Sequence, residues 1–113
     1  MNFNKDFFKE ERLHIYANHI FIQVDSTAKK IVLTKLQEME YTWQSGVKPT
    51  DWIPITDIKY LAISCNNKQI SIISPSFLEE NIDILGKNII CSGEFLENPY
   101  NFLQENNNPV ISR

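Results

Sequence analysis

The sequence predicts an α+β fold, a single mostly antiparallel sheet of four to five strands with helices packed on one side. Three observations predict it. Ile20, Ile22 and Val24 alternate with Phe21 and Gln23, the period-two pattern of a strand. Ala28, Ile31, Val32, Leu36 and Met39 then recur on one helical face, directly after Asp25, Ser26 and Thr27, which are all N-cap candidates. Two β-rich runs, 58–64 and 69–74, flank Cys65, Asn66, Asn67 and Lys68, and asparagine tolerates the positive φ of a tight hairpin turn.

The elements follow in order along the chain. Phe3, Phe7 and Phe8, continued by Leu13 and Tyr16, predict a helix over 5–15 behind Asn4. The strand over 19–24 and the helix to Met39 make a βα unit, with Lys29, Lys30, Gln37 and Glu38 on the solvent side of the helix. A short strand over 41–44 closes at Ser45 and Gly46, and Pro49 and Pro54 make 47–56 an irregular loop anchored by Trp52 and Ile53. Ser76 with Glu79 matches a capping box, so a helix is expected over 77–85, ending at Gly86. Residues 88–95 read as the last strand, and Asn98 before Pro99 starts a terminal helix through Gln104. One domain over 1–105 is expected, with 106–113 as a tail.

Composition bounds the function. With 42% hydrophobic and 22% charged residues the chain is a globular domain, and sixteen isoleucines with seven phenylalanines supply a core without a metal or disulfide. A net charge of -3 argues against a surface that tracks nucleic-acid phosphates throughout. Two cysteines, Cys65 and Cys91, and no apolar run of membrane-spanning length point to a cytoplasmic setting.

Catalytic motifs fail in turn. Gly46, Gly86 and Gly93 stand in no phosphate-loop spacing, and no cofactor is expected. His14, His19, Cys65 and Cys91 lack zinc-ligand spacing, so buried thiols and surface imidazoles are the simpler reading. Cys91 with His14 or His19 as its base is conceivable as a nucleophile only if the fold joins them. Glu10 with Glu11 and Glu79 with Glu80 are neighbours that diverge around a helix and share no site.

Two surfaces remain as candidate binding sites. Tyr41, Trp43, Ser45, Lys48 and Trp52 surround one proline-containing loop, where aromatic area suits recognition; stacking on a base with Lys48 meeting a phosphate is one option, and edge cover for the core is the other. Residues 1–76 carry nine basic and eight acidic side chains, whereas 77–113 carry two and six. Glu79, Glu80, Asp83 and Glu94 are thus candidates for an acidic face that engages a basic partner, or serves solubility alone.

The run from Ile20 to Asp25, the helix to Met39, and Tyr41-Thr42-Trp43-Gln44-Ser45-Gly46-Val47-Lys48-Pro49-Thr50 together resemble small uncharacterised proteins of bacteriophages and prophages. In these a strand, a helix and a G-Y-x-W-x-S-G-x-x-P-T stretch follow one another. The resemblance covers about residues 19–56 and departs at Glu40, where the pattern has glycine; a left-handed helix cap there would strain Glu40. Nine lysines against two arginines fit an AT-rich phage genome. No enzymatic activity comes with this resemblance. It implies a non-catalytic accessory protein in the cytoplasm of an infected host, an inhibitor of an antiviral defence system that binds a host defence protein or nuclease effector, as an anti-CRISPR does. An oligomeric sponge for a cyclic or modified nucleotide immune signal is the first alternative, and a small nucleic-acid-binding regulator the second. A small hydrolase is the remaining one, and a homo-oligomer is compatible with each.

Overall fold

Alternation along strand β1 (His19–Gln23) divides the core in two: Ile20 and Ile22 point into one apolar cluster and Phe21 into another. The computed structural model describes residues 13–55 and 57–107, with side chains to residue 103. Of the helix expected over 5–15, only its end is among the described residues, where 13–16 are helical. The expected tail lies outside them apart from 106–107, which continue the terminal helix.

After β1 come α1 (Ala28–Glu38), β2 (Thr42–Trp43), β3 (Tyr60–Ser64), β4 (Gln69–Ile72), α2 (Pro75–Glu80), α3 (Ile82–Leu85), β5 (Ile89–Cys91), α4 (Ser92–Glu97) and α5 (Pro99–Asn107). The strands form one sheet in the order β2-β4-β3-β1-β5. β1–β3 and β3–β4 are antiparallel, while β1–β5 and β2–β4 are parallel. The fold is therefore α+β with one five-stranded sheet, mixed in direction rather than mostly antiparallel.

The helices cover both faces of this sheet, which corrects the expectation of one. On the first face Val32, Leu33 and Leu36 of α1, Phe95 of α4 and Leu103 of α5 pack on Ile20, Ile22, Leu61, Ile63 and Ile70. On the second, Phe77 and Leu78 of α2 and Leu85 of α3 pack on Phe21, Tyr60, Ala62 and Ile73, with Leu13 and Tyr16 against them. Strands buried on both sides carry apolar residues consecutively, as Leu61-Ala62-Ile63 do.

Local chemistry sets the element ends. Asp25 caps α1, its Oδ1 accepting from the N–H groups of Thr27 at 3.0 Å and Ala28 at 2.7 Å. The buried stripe of α1 includes Leu33 instead of Ile31, which is 53% exposed. At the other end the Tyr41 N–H donates to the Leu36 carbonyl and the Glu40 N–H to the Gln37 carbonyl, a Schellman cap with Glu40 at φ 71°. Glu40 thus sits in the left-handed region that the glycine of the resembling pattern would adopt without strain.

Later elements depart further from expectation. In the β3–β4 turn the positive φ falls on Lys68, at 55°, rather than on an asparagine. Ser74, not Ser76, caps α2 with Pro75 at its first position, and the helix breaks at Asn81, whose buried amide donates to the Phe77 carbonyl at 2.8 Å. The last strand stops at Cys91, because the Cys91 Sγ and the Glu94 carboxylate form a reciprocal capping box that starts α4. Phe95, expected on that strand, is a helical core residue.

Candidate binding cleft at the sheet edge

The parallel strand β2 is two residues long because Gly46, at φ 94°, turns the chain back immediately after it. The Gly46 N–H donates to the Trp43 carbonyl at 2.8 Å, and the Trp43 N–H to the Val47 carbonyl at 2.9 Å. This turn starts the loop that carries Trp52. Two polar staples then fix the loop. The Trp43 indole Nε1 donates to the carbonyls of Trp52 at 2.9 Å and Pro49 at 3.3 Å. Gln37 Oε1 on α1 accepts from the Thr50 backbone N–H at 2.9 Å and from the Thr50 hydroxyl at 2.7 Å.

The two tryptophans have different environments. Trp43 is 5% exposed and belongs to the first core cluster; Trp52 is 52% exposed and meets it edge to face, with ring centroids 5.1 Å apart. Beside Trp52 an open cleft of about 690 Å³ runs along the sheet edge. Trp43 and the Trp52 ring against it line its first-face side, Tyr16 and Ser71 its second-face side, and Ile70, Ile72 and Gln44 the strand edge between them, with Val47 and Asp51 also in the lining. Half-exposed aromatic area on a fixed scaffold is the usual make-up of a recognition site.

The structure distributes the predicted site residues unequally. Trp43, Ser45 and Trp52 come together at the cleft. Tyr41 does not, being 3% exposed inside the first cluster, where burial pushes its phenol well above the usual range and its hydroxyl faces Cys65. The Schellman cap, in which the Tyr41 N–H bonds the Leu36 carbonyl, turns the chain back so that Tyr41 joins the same buried cluster as Leu36. Lys48 is exposed and does not line the cleft; among the described residues its one charged lining side chain is Asp51.

The acidic candidates form no single face. Glu79 and Glu80 on α2 and Asp83 on α3 lie on the second face of the sheet, whereas Glu94 belongs to α4 on the first. Glu79 is paired with Lys59 at 3.1 Å, and Glu94 is occupied by the Cys91 cap.

Nor does Cys91 meet His19. Cys91 is paired in register with Gln23, four residues along β1 from His19, which is ~13 Å of strand. Burial raises the Cys65 pKa, opposed in part by the Tyr41 hydroxyl, so its thiol stays protonated at neutral pH. Among the described residues no three His, Cys, Asp or Glu side chains converge as a metal site would need, and no helix is long and apolar enough to cross a membrane.

Comparison with protein-family models, curated proteins and solved structures gives no match to this chain. Sequence reasoning missed Tyr16, Asp51 and the β4 residues Ile70, Ser71 and Ile72, all of which line the cleft. A loop carrying both an aromatic and a carboxylate at 51–52 was the available signal for Asp51; nothing local marks the β4 residues, since the short β2 alone decides which of them stays open.

Proposed function

We propose that this chain is a non-catalytic binding protein that docks a protein partner through the Trp52 cleft. The phage-like pattern over residues 19–56 supports a host antiviral defence protein, such as a nuclease effector, as that partner, and stoichiometric inhibition as the outcome. The observation that carries the binding reading is the division of labour between the tryptophans: Trp43 is consumed by the core, while Trp52 is held rigidly but half in solvent. Holding an exposed indole in place in advance lowers the ordering cost of association.

The lining favours a protein over a nucleotide. It is mainly apolar, and among the described residues its one charged side chain is the acidic Asp51. A phosphate in the cleft would meet the carboxylate of Asp51, which repels it, and no cation among the described lining residues.

Native mass spectrometry of the tagged chain from infected cells tests this reading. A stoichiometric host protein retained by the wild type and lost from Trp52→Ala, with a cooperative thermal transition kept in the variant, is the expected result. A ligand of a few hundred daltons on an oligomer, or a partner indifferent to Trp52→Ala, overturns it.

A further inference from the structure

The backbone at the cleft floor carries an unused edge. The Thr42 N–H donates to the Lys68 carbonyl at 3.1 Å and the Gln44 N–H to the Ile70 carbonyl at 3.0 Å, so alternate residues of β4 turn their peptide groups toward β2. Ile72 is next in that alternation. On its other side β4 pairs with β3, and the Ile72↔Leu61 pair is of the same type as Ile70↔Ile63, whose β4 member faces outward. β2 has by then turned away at Ser45 and Gly46. Among the described residues nothing accepts from the Ile72 N–H or donates to its carbonyl on this side, and Ile72 is 39% exposed. Unpaired edge groups are a template for a further strand.

The cleft is also shaped for a strand. It opens on both faces of the sheet at once, with Trp43 and the Trp52 ring packed on it on one side and Tyr16 and Ser71 on the other. A compact ligand would occupy one wall. An extended peptide sends successive side chains to opposite faces, and so fills both. Asp51 supplies the polarity, since a carboxylate among apolar groups favours a cationic neighbour.

We propose that the free edge of β4 at Ile72 receives an extended segment of the partner protein as an added strand, with apolar side chains alternately over Trp52 and Tyr16 and a basic side chain at Asp51. This rests on the Trp52 cleft being the partner-binding site. The added strand takes up the line that β2 abandons, and its backbone bonds to Ile72 set the register while the two aromatic walls select side chains.

The test uses the full chain and short random linear peptides displayed for selection against it, with the selected peptides resynthesised so that each backbone N–H is methylated in turn. The expected result is enrichment of apolar sequences carrying Lys or Arg, and affinity that falls about tenfold or more when N–H groups at alternate positions are methylated, but little at the positions between. Ile72→Pro removes the outward N–H, and with it the Ile72 side chain of the cleft, without touching a β3–β4 bond, so it should abolish binding while β3–β4 pairing and the thermal transition persist, whereas Ile72→Val, which keeps the N–H, should retain binding. Because the methylation series is read on the wild-type protein, it decides the matter even if the proline variant does not fold. Binding insensitive to methylation at every position, or no peptide enriched, overturns strand addition. So does a dimer that Ile72→Pro abolishes, which would seat a second copy on the edge. A host partner that is still lost from Trp52→Ala in those cases leaves the binding reading standing; a partner retained by Trp52→Ala removes both.

Discussion

The indole N–H of Trp43 donates to the backbone carbonyl of Trp52 over 2.9 Å, so the buried tryptophan holds the exposed one by its main chain and leaves its ring free. Truncating the two therefore has unequal effects. Trp43→Ala should cost about 3–5 kcal/mol, the cavity cost of a buried aromatic. Trp52→Ala should cost about 1 kcal/mol, the worth of the edge-to-face pair. Urea denaturation of both variants checks the difference, and equal losses would mean that Trp52 is part of the core.

Gln37→Ala should release the loop without touching the cleft wall. It leaves the Thr50 N–H and hydroxyl without their shared acceptor, at a cost of about 1–2 kcal/mol. Hydrogen exchange at the Thr50 amide should speed up correspondingly, while amides of β3 stay protected.

Glu40→Gly should stabilise the protein. The left-handed φ of 71° at the helix cap costs a side-chain-bearing residue about 1–2 kcal/mol, only part of which the greater freedom of unfolded glycine takes back. A rise in melting temperature is expected, and Glu40→Ala should give none.

His19 makes stability fall on mild acidification. Burial lowers its pKa from 6.5, opposed by a weaker hydrogen bond to the Ile15 backbone, and its Nδ1 has no partner among the described residues. The unfolded chain accordingly binds the proton first, and stability present above pH 6.5 is lost progressively as the pH drops below it. Melting temperatures from pH 7.5 downward should show this slope in the wild type and a weaker one in His19→Gln.

Local signals made about half of the fold legible. β1, α1 and the β3–β4 hairpin announce themselves because their periodicity, caps and turn lie within a few residues of one another. Residues 88–95 misled because Ile89, Ile90 and Phe95 are equally apolar in a strand or a strand followed by a helix, and the capping role fell to a cysteine, a rare N-cap. Helices on the second face leave no mark within β1 or β3, because the burial of Phe21 and Ala62 depends on the distant residues of α2 and α3. At the site, Trp43, Ser45 and Trp52 were readable from aromatic density around a proline loop, but the depth of Tyr41 was not, since it follows from the cap geometry.

The strand order has a consequence for how the chain is made. Among the described strands the hairpin of β3 and β4 is the one neighbouring pair that is also consecutive in sequence; β1 takes β3 on one flank and, on the other, β5, the last of the five in sequence. During translation the Phe21–Gln23 flank that later meets Ile89–Cys91 stays bare until residues 89–91 have emerged, because closing so long a loop cannot precede its synthesis. The nascent chain is thus open to strand capture and chaperone holding at β1, far from the cleft that the finished protein presents.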